Sequence, residues 1–503
     1  MYYPTFDKFK KLCKKGNLIP VYREILADLE TPVSAFMKLG SKEPYVYLLE
    51  SVERGEKLGR YSFLGIDPFM IFKTQGKEGY LQTSEGEFEK YEVKQDPLGI
   101  LKEIMSKFEV VNFPQLPIFF GGAVGYIGYD VVRFFEKIPS LDKKENLKFP
   151  DCLFIFTNSV VIFDHVDHKI KIVSYAFLNG ESSKKIYQKT QEKIEKIVSY
   201  LLAPLPELQS KTLGNSYCNK KDKSFKSNFS PKEFMQSVIR AKRYIRRGDI
   251  FQVVLSQRFE KKISTSPFNI YRVLRSLNPS PYMYYLKCGD FYLIGSSPEI
   301  LVRKEENEVI LRPIAGTRPR GKDEKEDEKL IKDLMRDEKE KAEHIMLVDL
   351  GRNDLGRVCR YGTVKIKELF SIEKYSHVMH LVSEVRGELR KNMDQFDLLR
   401  ACFPAGTVSG APKVRAMQII EELEPSHRGP YAGALGYFSF SGNMDTCIII
   451  RTIIVREDTA YIQAGAGIVA DSVPENEFKE TVNKAKALMK AIDIAEEERE
   501  WLL

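Results

Sequence analysis

The chain of 503 residues exceeds the usual size of a single hydrophobic core, so two lobes are expected. Hydrophobic residues at 43% and charged residues at 29% give an ordinary globular balance, and the net charge of +8 is spread along the chain without a basic, aromatic-interleaved stripe, which argues against nucleic-acid binding. No apolar h-region opens the sequence and no uncharged run reaches the roughly 18 residues of a spanning helix, so a soluble, cytoplasmic protein without membrane contact is expected.

Thr31-Pro32 opens a helix through Lys38, and Tyr45 to Leu49 is β-branched and aromatic enough for a buried strand. The strand runs into Glu50-Ser51, which on its own reads as a turn and cap. Phe119 to Asp130 is a glycine cluster that lacks the order and context of a dinucleotide loop, so close strand packing accounts for it better. Cys152 to Phe163 and Lys169 to Tyr175 read as strands around a turn at His165–His168, two histidines with no third metal ligand nearby. A polar helix covers Ser183 to Leu202. Residues 206–229 turn polar and irregular, the expected linker between an amino-terminal lobe, 1–205, and a second lobe, 230–503.

Beyond it, Ser230 and Glu233 form a capping box for a helix from Phe234 to Arg247, followed by a strand from Ile250 to Phe259. Strands separated by turns, with helices between, recur to the end. The pattern favours an α+β fold, two-lobed, with antiparallel sheets packed as a sandwich and helices on the outside. Two glutamate pairs, Glu340 with Glu343 late in a long charged helix and Glu477 with Glu480 at the opening of another, have an i, i+3 spacing that puts both carboxylates on one helix face. Each pair reads either as a solvated face or as half of an oxygen-rich site for a hard cation such as Mg²⁺. Cys402 to Arg415 carries two glycines, two prolines and two hydroxyls, and so reads as a shaped loop; Ser409 or Gly410 is placed to cap the helix that continues Lys413 to Leu423.

That loop, with Pro313-Ile314-Ala315-Gly316-Thr317-Arg318-Pro319-Arg320-Gly321, Leu347-Val348-Asp349-Leu350-Gly351-Arg352-Asn353-Asp354 and Ala464-Gly465-Ala466-Gly467-Ile468-Val469, resembles the chorismate-utilising enzymes and, among them, the anthranilate synthase large subunits (component I). The resemblance covers nearly the whole chain and is strongest from about Ser230 to Ile492. It implies Mg²⁺ bound through Glu343 and Glu480 with Glu340 and Glu477 in support, and chorismate held by Arg451, Tyr431 and the backbone of Gly465 and Gly467. Gly316, Thr317 and Thr407 would line the ring. Read bare, Gly465 and Gly467 are equally turn glycines.

The implied reaction adds ammonia at ring C2 as the C4 hydroxyl leaves, then eliminates pyruvate to give anthranilate. Glu299 takes the place of the general acid and must arrive protonated, His380 handles the proton near the ether, and Thr407 stands beside them. Read bare, His377 and His380 are equally packed or capping residues; the resemblance favours His380 as functional and His377 as structural. The resemblance further implies feedback inhibition by tryptophan at Leu49, Glu50, Ser51, Pro281, Tyr282 and Met283, with Lys57 and Ser62 less firmly. It also implies a separate glutamine amidotransferase subunit as the ammonia source, in a heterotetramer of two of each chain. Ala315 replaces the lysine nucleophile of aminodeoxychorismate synthases, and Gln252 the lysine base of isochorismate and salicylate synthases. A tryptophan- or chorismate-binding regulator without catalysis would have lost a Glu pair, Glu299 or His380, and all are present.

Overall fold

Two long strands, Tyr61–Gln75 and Cys152–Asp164, pair antiparallel and form the axis of the fold. The second is buried at every position, which is why its sequence runs almost continuously apolar instead of alternating. A bulge between Pro68 and Met70 bends the first. The structure, a computed structural model, describes all residues except 52–58, 85, 112, 142, 144–146, 207–223, 375–377 and 498–503.

Two branches leave this axis. One continues through Tyr45–Glu50, Tyr282–Cys288, Phe291–Ser297, Thr452–Arg456 and Thr459–Ile468 to Gln252–Lys262. The other continues through Gly122–Ile127, Ala434–Ser439, Met444–Ile448, Ile300–Glu305 and Glu308–Leu311 to Val378–Glu388, which also takes Ile314–Pro319 and Lys365–Lys374. Every ladder among the described residues is antiparallel. The close packing expected of the glycine cluster is real: Gly122 and Gly125 face backbone atoms of Phe438 and Leu153 so closely that neither has room for a Cβ.

One apolar core gathers Tyr47, Phe163, Tyr284 and Ile453 beneath the helices Ser183–Leu202, Pro267–Leu277 and Pro474–Glu497. A second gathers Phe154, Val302 and Met444 beneath Pro231–Arg246, Gln395–Cys402 and Lys413–Leu423. The chain is α+β, with antiparallel sheets and helices outside them. The sequence before residue 206 is joined to that after 229 by continuous ladders, Tyr45–Glu50 on Tyr282–Cys288 and Gly122–Ile127 on Ala434–Ser439. Of the expected linker, 207–223 lies outside the described residues, and Lys226–Ser227 adds a short strand to Gln252–Lys262.

Local signals translate directly at several ends. Ser230 and Glu233 form the reciprocal cap of Pro231–Arg246, and Thr31 caps Pro32–Leu39. Two expectations are corrected. Pro412 occupies the cap position of Lys413–Leu423, because Ser409 ends a one-turn helix, Gly406–Ser409, and spends its hydroxyl on the Ala405 carbonyl, while Gly410 pairs as a strand with Val253. Glu340 and Glu343 stand at the start of a helix, Glu338–Gly356, rather than late in a long one. Asp337 accepts from the backbone N–H groups of Lys339 and Glu340 and divides this helix from Glu324–Arg336.

Candidate active site

Glu299 lies in the turn between Phe291–Ser297 and Ile300–Glu305, its carbonyl held by the Ile448 N–H at 3.0 Å. Its carboxyl is buried and accepts one hydrogen bond, 2.9 Å from Thr407 Oγ1 in the shaped loop. Burial pushes its pKa from 4.5 up to about 8, against the opposing pull of Thr407 and the Lys484 ammonium. Glu299 is therefore a carboxylic acid at neutral pH, as a general acid must be.

His380 of Val378–Glu388 stands opposite Thr317 of Ile314–Pro319 in the ladder. Its Nδ1 is 2.9 Å from Thr317 Oγ1 and 3.4 Å from the Gly316 carbonyl, which can only accept. That favours a proton on Nδ1 and leaves Nε2 as the acceptor nitrogen. Burial first, and then the Arg451 guanidinium, hold its pKa below the ordinary 6.5, so the ring is neutral. Gly316 is needed as glycine. Its φ is 67°, and a Cβ there would sit 3.0 Å from Leu334 Cδ1 and 3.3 Å from Glu340 Oε2.

The third side is built by the turn after Met444–Ile448, the strand Thr459–Ile468 and the helix Pro474–Glu497. Arg451 and Glu480 line one cleft of about 490 Å³ with Lys484. Arg451 Nη1 donates 2.7 Å to the Lys484 carbonyl, and Lys484 Nζ donates 2.7 Å to Glu480 Oε1 and 3.0 Å to the Gly465 carbonyl. Tyr431 is buried, its hydroxyl pushed up to about 12 by burial, and that hydroxyl lies 2.8 Å from where a Cβ on Gly465 would stand. A Cβ on Gly467 would likewise meet Gln252 Nε2 at 2.7 Å, and the same Nε2 donates 2.9 Å to Glu343 Oε1. Gly465 and Gly467 thus let two side chains close onto a strand. Glu299 is tied to Thr407 and, electrostatically, to Lys484; His380 to Thr317, Gly316 and, electrostatically, Arg451; and Arg451 to Gly465 through Lys484.

The match to the family of chorismate-binding enzymes runs over residues 46–490. The chain belongs to the chorismate-binding enzyme family. It is 51% identical to anthranilate synthase component 1 of Acetivibrio thermocellus over 99% of this chain and 100% of that one, and 51% identical to that of Aquifex aeolicus over 99% of each. The crystal structure of anthranilate synthase component I from Streptococcus pneumoniae superposes with a TM-score of 0.76 at 38% identity, over 92% of this chain and 99% of that one. The menaquinone-specific isochorismate synthase MenF of Escherichia coli shares the fold at a TM-score of 0.69 and 20% identity.

In this chorismate-binding enzyme the two glutamate pairs face the site from different helices. Burial and the neighbouring Glu343 raise the pKa of Glu340, and burial outweighs a Ser472 hydrogen bond to raise that of Glu477, helped by Glu480. Such crowding favours a cation. No three His, Cys, Asp or Glu groups converge as a complete metal cage among the described residues. Carboxylates are the donors that a hard cation such as Mg²⁺ takes one or two at a time, with other oxygens and water completing its shell.

A second cavity, of about 270 Å³, is lined by Leu49, Glu50, Ser51, Pro281, Tyr282 and Met283 together, because Tyr45–Glu50 pairs with Tyr282–Cys288 and sets Glu50 opposite Met283. Phe63, Phe119 and Tyr437 give it an aromatic wall. Both Glu50 oxygens are engaged, each 3.0 Å from Arg275, and Tyr271 also donates to Oε2. The buried Glu50 carboxylate is thus already paired with the partly exposed Arg275 and is not an open acceptor. Ser62 is not part of this cavity: it neighbours Phe63 in one strand, points to the opposite face and bonds His165 Nε2 at 2.7 Å. Lys57 and His377 lie outside the described residues.

Lys484 is the residue of the cleft that motif reading passed over. Its position four residues after Glu480 on one helix face was the available signal. Nothing local pointed to Arg303 and Asp445, an ion pair at 2.8 Å that anchors the Tyr282 hydroxyl in the second cavity.

Proposed function

We propose that this chain converts chorismate and ammonia to anthranilate and pyruvate, the opening step of tryptophan biosynthesis, and is feedback-inhibited by tryptophan. The observation that carries the reading is a carboxyl kept neutral by burial, Glu299, in one site with a neutral imidazole, His380, and a cationic cleft of Arg451 and Lys484.

Chorismate is a dicarboxylate. The Arg451 fork and the Tyr431 hydroxyl suit one carboxylate, against the backbone of Gly465 and Gly467. Mg²⁺ held by Glu343 and Glu480, with Glu340 and Glu477 in support, would supply the positive charge that anchors and polarises the other. Glu299 gives its proton to the C4 hydroxyl as that group leaves, with Thr407 stabilising the carboxylate that results. The proton at C2 is then removed and the enolpyruvyl ether is protonated as pyruvate departs, with His380 Nε2 as the proton carrier.

Ala315 and Gln252 oppose the neighbouring chemistries. Ala315 has no amine to attack the ring, and the Gln252 amide is not a base and is spent on Glu343. The chain carries no glutaminase signature, so the ammonia would come from a partner amidotransferase subunit, in an assembly of two of each chain. The second cavity fits an indole against its aromatic wall. The test is anthranilate fluorescence from the purified chain with chorismate, Mg²⁺ and an ammonium salt at mildly alkaline pH. A signal abolished by EDTA and suppressed by tryptophan is expected; consumption of chorismate without fluorescence would refute the reaction.

A further inference from the structure

Behind Glu299 lies a cavity of about 50 Å³ that joins Glu299 and Thr407 to Arg312, Asp354 and Cys402, with Leu347 and Leu350 as apolar wall. Asp354 closes the Leu347-to-Asp354 motif near the end of the helix Glu338–Gly356. It reaches across to Lys413, the first residue of the helix that follows the Cys402-to-Arg415 loop, and Lys413 Nζ donates 2.7 Å to Asp354 Oδ2. The two side chains are only 7% and 10% exposed. Asp354 Oδ1 in the lining is buried without a hydrogen-bond partner among the described residues, whereas Arg312 Nε, which also lacks one, lies 3.6 Å from Glu384 Oε2 in an ion pair.

A buried carboxylate oxygen without a donor calls for one, and a cavity of this size has room for about three waters. Glu299 also has a need that its first neighbours do not meet. As general acid it loses a proton in each turnover, and Thr407 offers only a hydroxyl.

We propose that water in this cavity links Glu299 to the Asp354–Lys413 pair and returns a proton to Glu299 in every turnover. The inference rests on Glu299 being the general acid. The protons balance: Glu299 gives one to the departing hydroxyl, which leaves as water, and the ammonium adduct sheds one to solvent. A proton from solvent passes to the Asp354 carboxylate and on through cavity water to Glu299, which leaves Asp354 again as the carboxylate that the Lys413 ammonium holds. Burial raises the pKa of Asp354 against the pull of Lys413 and Arg357, which eases that transient protonation. The other titratable or charged groups facing this path are Cys402 and Arg312 in the cavity lining and Lys484 beyond Glu299. Asp354 acts through Glu299 and is a positioning and proton-supplying residue.

The experiment compares Asp354→Asn, Leu350→Phe and Glu299→Gln with the parent chain, reading kcat, KM for chorismate and the solvent deuterium isotope effect on kcat. Asp354→Asn should lower kcat about tenfold at unchanged KM and enlarge the isotope effect. Leu350→Phe, which fills the cavity with both carboxyls intact, should do the same. A folded Asp354→Asn with parental kcat and isotope effect overturns the relay; if that variant does not fold, parental values in Leu350→Phe overturn it equally. Should Glu299→Gln retain activity, the general-acid reading itself fails; with Glu299→Gln inactive, a null result in the other two refutes the relay alone.

Discussion

Thr407 Oγ1 donates a 2.9 Å hydrogen bond to Glu299 Oε1 across 108 residues of sequence. It is the one side-chain donor found on that carboxyl among the described residues, and it favours the ionised form. In Thr407→Val the Glu299 pKa should therefore rise above about 8, moving the alkaline limb of the pH–rate profile upward. The rate should fall about tenfold, the worth of one hydrogen bond of about 1.4 kcal/mol. An alkaline limb that moves downward, or not at all, would separate Glu299 from the titration.

Glu299→Gln should cost about 10²–10⁴ in kcat, the usual contribution of a general acid. It should also change stability with a definite sign. The folded state keeps the Glu299 proton up to about pH 8, whereas the unfolded chain loses it near 4.5. The parent chain therefore loses about 1.4 kcal/mol of stability per pH unit between those values, and the glutamine variant is spared that loss. Denaturant unfolding of both at pH 6 and pH 8 checks the sign: the difference must shift in favour of the variant at the higher pH.

His380 should titrate below 6.5, because burial disfavours the imidazolium and Arg451 adds repulsion. Its ring proton resonance, assigned by its loss in His380→Gln, reports this by NMR. A midpoint above 6.5 would mean that the ring is charged in the resting enzyme and unfit to accept a proton.

How much of this was legible beforehand follows the range of each interaction. The caps at Thr31 and Ser230 depend on residues three apart and could be read directly. The break at Asp337 is equally local, yet it was missed because the run from Glu324 onward is charged and helix-forming on both sides. The ends of the Glu50 ion pair are 225 residues apart, so no local pattern could show that its carboxylate is already engaged by Arg275. Ser62 was misjudged for a simpler reason: strand alternation places it on the face opposite Phe63, and only the cavity reveals which face matters. Asp354 and Lys413 stood in two motifs recognised from sequence, but their meeting behind Glu299 exists only in three dimensions.

The Glu50–Arg275 pair makes the proposed feedback site testable. Glu50→Gln with Ser51→Ala should weaken tryptophan inhibition at least tenfold, because both residues line the cavity and Arg275, in the lining of a different one, loses the carboxylate that holds it. The readout is the ratio of inhibited to uninhibited rate over a tryptophan series. Unchanged inhibition in the double variant would remove the site from this cavity.

Tyr431 owes its position to an ion pair beneath it. Arg428 and Glu424 are almost wholly inaccessible and joined by bonds of 2.6 and 2.9 Å, and the guanidinium also donates to the carbonyls of Val408 and Val254. It lies over the rings of Tyr129 and Tyr431, 4.7 and 5.6 Å from their centroids. Glu424 Oε1 in turn accepts from the backbone N–H and hydroxyl of Ser256. Glu424→Gln leaves a buried guanidinium without a counter-charge, which should cost about 3 kcal/mol and lower the denaturant midpoint. Because the loop carrying Val408 adjoins Thr407 and the pair supports Tyr431, the variant should also raise KM for chorismate. Loss of stability with KM unchanged would mean that the pair holds the fold together without setting the substrate pocket.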